Sequence, residues 1–258
     1  MDLRESNSER ANAARGTEMH HPWELARYAF FSRQLRRHGL LSSAKEWLDV
    51  GSGDAWFASE LTKELPSDAK VTCWDANYTA ATEPKGRDAR MRFSKDRPEV
   101  RANAILLLDV LEHVEDDHGF LGSIVKENAA PGAHVLVSVP AWQSLFAGKD
   151  VFLRHYRRYS PERGRKLVEG AGLQILEQGG LFHSLLPARA LAVGLERLPL
   201  PRRAKKEEEH VPDWQGGPLV TRFLTSVLSA EGKLSESLAK SGISVPGLSW
   251  WALLRAPG

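Results

Sequence analysis

The chain has 258 residues, 42% hydrophobic and 26% charged, the balance of an ordinary globular protein and not of a disordered or fibrous one. Thirty-five Lys and Arg stand against 33 Asp and Glu, a formal net charge of +2, so there is no global field of the kind that draws a protein onto nucleic acid. Cys73 is the one cysteine, which excludes an internal disulfide and a cysteine-rich zinc site and fits a reducing, cytoplasmic compartment.

Residues 1–18 are polar and charged and are expected to form a frayed tail, neither a signal peptide nor an anchor. No segment reaches the roughly 18 uninterrupted apolar residues of a spanning helix, so no stable membrane insertion is expected. Within residues 19–45, the apolar side chains Trp23, Leu25, Ala26, Ala29, Phe30, Leu35 and Leu40 fall mostly at helical spacing, with Arg27, Arg33, Arg36 and Arg37 between them, predicting an amphipathic helix that ends near Gly39. Residues 46–50 read as a strand running into Gly51-Ser52-Gly53, and residues 56–65 as a helix stopped by Pro66. Residues 70–75 are a second short strand ending in Asp75, and residues 90–94 a third.

The run Ala104-Ile105-Leu106-Leu107-Leu108 is apolar at every position, as a strand buried on both faces of a parallel sheet requires. A helix over 116–128, a strand over 134–139 and a helix opened by Ser160-Pro161 follow, serine being a good cap and proline suited to the first helical position. Strands over 173–178 and 248–254 complete seven. This alternation predicts an α/β, doubly wound, Rossmann-like core over 46–180, closed by a last strand within 247–258. The intervening 181–246 is too long for a loop and should be a helical insertion, with helices over 183–198 and 219–240 packed on the domain. The charge run Arg202, Arg203, Lys205, Lys206, Glu207, Glu208 and Glu209 joins them as a solvated connector.

A glycine turn between strand and helix lets backbone approach a ligand closely and is expected to aim free N–H groups at it. Dinucleotide enzymes share this architecture, with a third glycine where helix packs on strand. Here that position is Trp56, and Asp54 would oppose a pyrophosphate, so a nicotinamide enzyme is disfavoured.

Leu48-Asp49-Val50-Gly51-Ser52-Gly53-Asp54-Ala55 resembles the first motif of the class I S-adenosylmethionine-dependent methyltransferases, and Leu107-Leu108-Asp109-Val110-Leu111-Glu112-His113-Val114 the segment after that family's fourth strand. The chain departs from the pattern at Ala55, where a third glycine is usual, and at Asn103, where an aspartate is; alanine is acceptable at 55 if its φ is negative. The resemblance implies S-adenosylmethionine as cofactor. It also implies that Asp49 orients the methionine end and Asp75 accepts from the ribose diol, with Ser52 and Ala76 beside them. The adenine would rest near Phe93 and Ser94, with Leu108, Asp109 and Val110 closing the other side. The helix around His21-Pro22-Trp23-Glu24-Leu25-Ala26-Arg27 resembles the lid such enzymes fold over the cofactor, with Arg27 the candidate cation for its carboxylate and Trp23 facing the acceptor.

Methyl transfer needs positioning and exclusion of water, and at most a base for the acceptor. The candidates are His113, His155 and Tyr156. Residues 150–159 contain His155-Tyr156-Arg157-Arg158-Tyr159, which resembles a stretch found in one bacterial subgroup of the family; there Arg157 and Arg158 could clamp an anion, with Tyr159 beside the acceptor. Glu112, His113, Glu115, Asp116, Asp117 and His118 match no ligand spacing, and acids opening a helix are explained by its dipole, so no metal is expected. A small or medium-sized acceptor is the expected partner, capped by 181–246, with no nucleic acid. A cofactor-binding but non-catalytic regulatory or partner subunit is the alternative, and the oligomeric state is left open.

Overall fold

The computed structural model describes residues 20–79, 83–84, 88–198, 214–240 and 244–258, without the side chains of 239 and 240. The expected tail over 1–18 and the charge run at 202–209 lie outside the described residues.

Seven strands form one sheet in the order β3-β2-β1-β4-β5-β7-β6: β1 Glu46–Val50, β2 Lys70–Trp74, β3 Met91–Ser94, β4 Ala102–Leu108, β5 Ala129–Pro140, β6 Gln174–Leu181 and β7 Ser249–Arg255. The first five pair in parallel. The last strand inserts between β5 and β6 and runs antiparallel to both. β5 starts at Ala129, paired with Ala102 ahead of a register shift, and so is longer than its apolar run indicates.

The alternation of side chains along the strands divides the interior in two. Trp47, Val71, Cys73, Ala104, Leu106, Trp251 and Leu253 face one layer, while Leu48, Val50, Ile105, Leu107, Trp250, Ala252 and Leu254 face the other. The first face is covered by α1 (Pro22–Arg37) through Phe30, Phe31 and Leu35, and by α3 (Trp56–Thr62) through Phe57, Ala58 and Leu61. A short α2 (Leu40–Ser43) links α1 to β1. The second face is covered by α4 (Asp117–Asn128) through Leu121 and Ile124, and by α6 (Pro161–Gly170) through Leu167 and Val168. Each such fully buried aliphatic or aromatic side chain stabilises the fold by about 1.5–3 kcal/mol, which explains why β4 is apolar from Ala104 to Leu108.

The helix starts are locally encoded. His21 Nδ1 accepts from Trp23 N–H while Glu24 Oε2 accepts from His21 N–H at 2.9 Å, a reciprocal cap with Pro22 at the first helical position. Gly39, at φ +73, follows the end of α1. Ser160 Oγ accepts from Arg163 N–H at 3.1 Å and starts α6 as expected.

The insertion supplies α7 (Leu185–Arg197) and α8 (Pro218–Lys240). α8 lies along α1, held by Arg37–Glu236 at 3.0 Å and by Gly232 against the Phe30 ring. α7 packs less than its sequence promises: Val193 is its buried side chain, while Leu191 and Leu195 are exposed. It is tied by charge instead, with Arg189 and Arg197 donating to the carbonyls of Leu145 and Ser144. No helix among the described residues is long and apolar enough to cross a membrane.

Candidate functional site

The site lies at the carboxyl edge of the sheet, where β1, β2 and β4 end side by side and ligands bind in folds of this architecture. After β1 the chain turns through Gly51 at φ +66, Gly53 at φ +55 and Ala55 at φ +58. A Cβ on Gly51 would stand 2.7 Å from Val110 Cγ2, so this position needs glycine for space as well as angle. Ala55 does not meet the condition, a negative φ, under which alanine was acceptable there: it occupies the left-handed region, which costs an L-residue about 1–2 kcal/mol.

The turn also differs in what its N–H groups do. Gly51 N–H and Ser52 N–H donate to the Trp74 carbonyl, at 2.7 and 3.2 Å, and Gly53 N–H donates to Asp75 Oδ2 at 2.9 Å. The end of β2 runs alongside and takes the donors expected to face the ligand. The turn therefore offers a close backbone surface and few free donors. Asp54 Oδ1 accepts from Trp56 N–H at 2.9 Å and caps α3. The Trp56 ring is stacked on His20 at 4.2 Å and packs against the edge of the first core layer. Tyr78, which sequence reasoning missed, is buried with its hydroxyl 2.8 Å from Ser52 Oγ and its ring 5.8 Å from Phe93, pinning the turn to β3. It follows β2 in an irregular segment with no motif to mark it.

Around the turn four carboxylates gather. Asp75 Oδ1 accepts from Asn77 N–H and Nδ2, at 2.8 and 2.9 Å. With Gly53 on Oδ2, three of the roughly four acceptor positions of a carboxylate are filled and one is left for a hydroxyl. Ala76 is exposed beside it, and Ser94 Oγ donates to the Asp96 carbonyl at 2.6 Å. Asp49 is 4% exposed; burial raises its pKa from 3.8 to about 7, the Arg27 charge opposing this and Asp75 and Asp54 adding to it. Asp109, at φ +58, follows Leu108 at the end of β4, its Oδ1 accepting from Ser138 Oγ at 3.1 Å and its Oδ2 from Arg27 Nη1. Arg27 comes from α1 and lies over the Trp23 ring at 4.6 Å. Its Nη1 is engaged by Asp109, whereas its Nε is buried with no hydrogen-bond partner.

These observations test the cofactor that the sequence implies. A buried carboxyl held half-neutral beside a buried guanidinium N–H with nothing to donate to is a matched pair of deficits. A zwitterionic amino-acid group satisfies both, its ammonium toward Asp49 and its carboxylate toward Arg27. A further cation is also welcome among Asp49, Asp54, Asp75 and Asp109. S-adenosylmethionine carries these groups and no phosphate, so the residues present fit it.

Beside this pocket a turn at Leu111–His113 meets the connection after β5, which forms α5 (Gly148–Phe152). Tyr156 N–H donates to the Glu112 carbonyl at 2.7 Å, and the His113 and His155 rings meet edge to face at 4.6 Å. Burial and the neighbouring His155 lower the His113 pKa to about 4, against Asp109 and Asp75. His155 Nδ1 is 3.0 Å from Asp150 Oδ1. Asp150 is fully buried; burial alone would raise its pKa, but the hydrogen bonds from His155 and Ala147 N–H and the Arg158 charge outweigh that and hold it well below the usual range. Tyr156 is exposed, its ring under the Arg157 guanidinium.

The expected anion clamp is not there. Arg157 pairs with Asp117 at 2.9 Å and donates to the Glu115 carbonyl, while Arg158 donates through Nε to Asp150 at 2.7 Å. Tyr159, fully buried, donates to the Leu111 carbonyl at 3.0 Å and lies 2.8 Å from Asp117 Oδ2. These three residues bind the segment to the fold, because Asp117 and Asp150 have come to meet them. Arg189 of α7 adds a second guanidinium to Asp150 at 2.8 Å, a contribution from the insertion with no sequence signal.

A sequence model for the methyltransferase domain matches residues 23–178. The chain belongs to the methyltransferase domain family. No curated protein matches it. Among solved structures, this methyltransferase domain is similar to the putative methyltransferase of Haloferax volcanii in complex with the Trm112 activator, with TM-score 0.57 and 14% identity over 100% of this chain and 98% of that one. It is also similar to a putative sarcosine dimethylglycine methyltransferase of Galdieria sulphuraria, TM-score 0.54, 14% identity, covering 97% and 98%. A third is phosphoethanolamine N-methyltransferase 2 of Haemonchus contortus in complex with S-adenosyl-L-methionine, TM-score 0.52, 15% identity, covering 88% of this chain and 51% of that one. At these identities the likeness is one of fold.

Proposed function

We propose that this chain transfers a methyl group from S-adenosylmethionine to a small or medium-sized acceptor seated against His113, His155 and Tyr156. The observation that carries the reading is buried Asp49 within electrostatic reach of Arg27, whose buried Nε has no hydrogen-bond partner. Family membership supports methyl transfer as the reaction class, and the Haemonchus contortus structure supports the cofactor.

Bound in this pocket, the cofactor supplies a methyl group on a sulfonium, which leaves by in-line displacement and needs no acid. The chain's own residues do the rest. Asp49 and Arg27 hold the amino-acid end, Asp75 orients the diol, and Leu108, Val110 and Ser94 bound the base. Trp23, under Arg27 and edge-on to Phe182 at 6.4 Å, helps to exclude water from the mouth. On the acceptor side His155 is held by Asp150, so its free ring nitrogen and that of His113 are available to an acceptor's proton.

Calorimetric titration with S-adenosylmethionine tests this. We expect one site per chain, weakened at least ten-fold by Asp75→Ala, since a lost hydrogen bond to a charged group costs about 1.5–3 kcal/mol. No binding, or binding indifferent to Asp75→Ala, refutes it; tight binding without S-adenosylhomocysteine formation across hydroxyl, amine and thiol acceptors would favour a non-catalytic subunit.

A further inference from the structure

We infer that Glu112, His113 and His155 form a binding site for one divalent transition-metal ion. Three potential ligand atoms, a Glu112 carboxylate oxygen and one ring nitrogen from each histidine, all lie within 4.8 Å of one another. Metal–ligand bonds of about 2.1 Å put neighbouring ligands about 3.0–3.4 Å apart, so closing the set takes a displacement on the order of 1 Å shared among three side chains. The two segments are already fixed against each other by the 2.7 Å bond from Tyr156 N–H to the Glu112 carbonyl.

A second feature is independent of the cluster's compactness. His155 Nδ1 faces Asp150 Oδ1 at 3.0 Å, which sets the tautomer with the proton on Nδ1 and the lone pair on Nε2, the arrangement in which a histidine ligand is oriented by a carboxylate behind it. Asp150 is held in turn by Arg158 Nε, Arg189 Nη2 and Ala147 N–H at 2.7–3.0 Å. Such a scaffold is more than a lone histidine needs. The expectation of no metal weighed only residues 112–118; His155 arrives from beyond β5 and completes two imidazoles and one carboxylate.

That donor set suits Zn²⁺, Co²⁺ or Fe²⁺ and not Mg²⁺ or Ca²⁺, which prefer all-oxygen shells. Three protein ligands also leave coordination positions open. The use of the ion, though not its existence, rests on the function proposed above. An acceptor hydroxyl entering an open position loses its proton to water more readily. Its oxygen then bonds to the methyl carbon as the carbon–sulfur bond breaks, sulfur keeps that electron pair as a neutral thioether, and the metal keeps its charge. The ion would take over the proton-accepting task assigned above to the imidazoles and would direct the enzyme to hydroxyl-bearing acceptors.

The test is titration of the metal-free full-length protein with Co²⁺ followed by its visible absorption, and with Zn²⁺ by calorimetry. We expect one equivalent per chain, weakened at least ten-fold in His113→Gln and in His155→Gln and abolished in the double variant, with circular dichroism showing each variant folded. Less than about 0.2 equivalents bound, or undiminished binding in the folded double variant, overturns the site. If the histidine variants do not fold, Asp150→Asn serves instead: a ten- to hundred-fold loss is expected where a carboxylate orients a ligand, and no loss counts against the site. Cofactor titration of the same wild-type preparation separates the two proposals. Cofactor binding without metal binding removes only the metal site, and metal binding without cofactor binding removes only the methyl-transfer reading.

Discussion

Cofactor affinity should fall steeply with acid, and Asp49 should be the reason. Its carboxyl is buried and titrates at about 7, raised from 3.8. The sign follows: a raised folded-state pKa gives stability that is complete below the unfolded value of 3.8 and is lost as pH rises through 7. The free protein thus becomes less stable toward neutral pH, where the Arg27 charge only partly offsets the burial of the ionised carboxylate, and a bound ammonium returns that stability. If binding requires the anion, the competent fraction drops from about one half at pH 7 to about 3% at pH 5.5. That is about a fifteen-fold loss of affinity, or about 1.6 kcal/mol. The cofactor's own amino group, near 7.7–8.0 in reference compounds, stays mostly protonated over this range and does not mask the effect. Calorimetry at pH 5.5, 6, 6.5 and 7 measures it, with thermal melts showing a ligand-induced stabilisation that grows with pH. Asp49→Asn should bind weakly at pH 7 and show a flat profile below it. A wild-type profile equally flat, or an Asn variant with the wild-type slope, refutes the assignment of Asp49 to the ammonium.

Arg27→Leu removes the charge that opposes the rise in the Asp49 pKa, so the acid limb of the same profile should move above pH 7 while affinity falls overall. Gly51→Ala should destabilise the protein by more than 2 kcal/mol in urea melts, since a left-handed angle and a 2.7 Å approach to Val110 combine. Gly53→Ala, with open space around it, should lose only the angular term of about 1–2 kcal/mol; equal losses would contradict the packing at Gly51. Arg158→Ala removes one charged hydrogen bond from buried Asp150, which keeps Arg189, His155 and the Ala147 N–H, and should cost about 1.5–3 kcal/mol, read by the same melts.

Much of the fold was legible because strands buried on both faces cannot hide. Ala104 to Leu108 is apolar throughout, and glycine or proline punctuates most of the ends. The antiparallel placement of β7 was not legible, since alternation within residues 249–255 is the same for either direction. The ligand turn was legible as a shape but not as a set of donors: only the register of β2 against β1 reveals that the Trp74 carbonyl takes two N–H groups. Arg157 and Arg158 read as free cations because Asp117 and Asp150 are invisible as partners until the chain folds. Residues 112–118 matched no ligand spacing because His155, the neighbour of Glu112 and His113 in space, lies in another connection.

One pattern ties the strained residues to the site. Among the described residues five non-glycine positions have positive φ: Ala55, Asp109, Trp142, Arg154 and Phe182. Ala55 closes the turn after β1, Asp109 follows β4, Trp142 and Arg154 belong to the connection after β5, and Phe182 follows β6. Every one therefore lies beyond the carboxyl end of a strand that runs in the parallel direction. Left-handed residues cost about 1–2 kcal/mol each and persist where the surroundings over-determine them, as they do at ligand sites. The two-sided core offsets that cost, and the strain is spent on aim: Asp109 toward Arg27 and Ser138, Arg154 just ahead of His155, Trp142 through its indole N–H onto the Gly247 carbonyl at 2.8 Å. Left-handed glycines occur at the opposite edge too, at Gly39 and Gly172, but among the described residues the non-glycine positions that bear this cost all fall on the edge where Asp49, Asp75 and Asp109 stand.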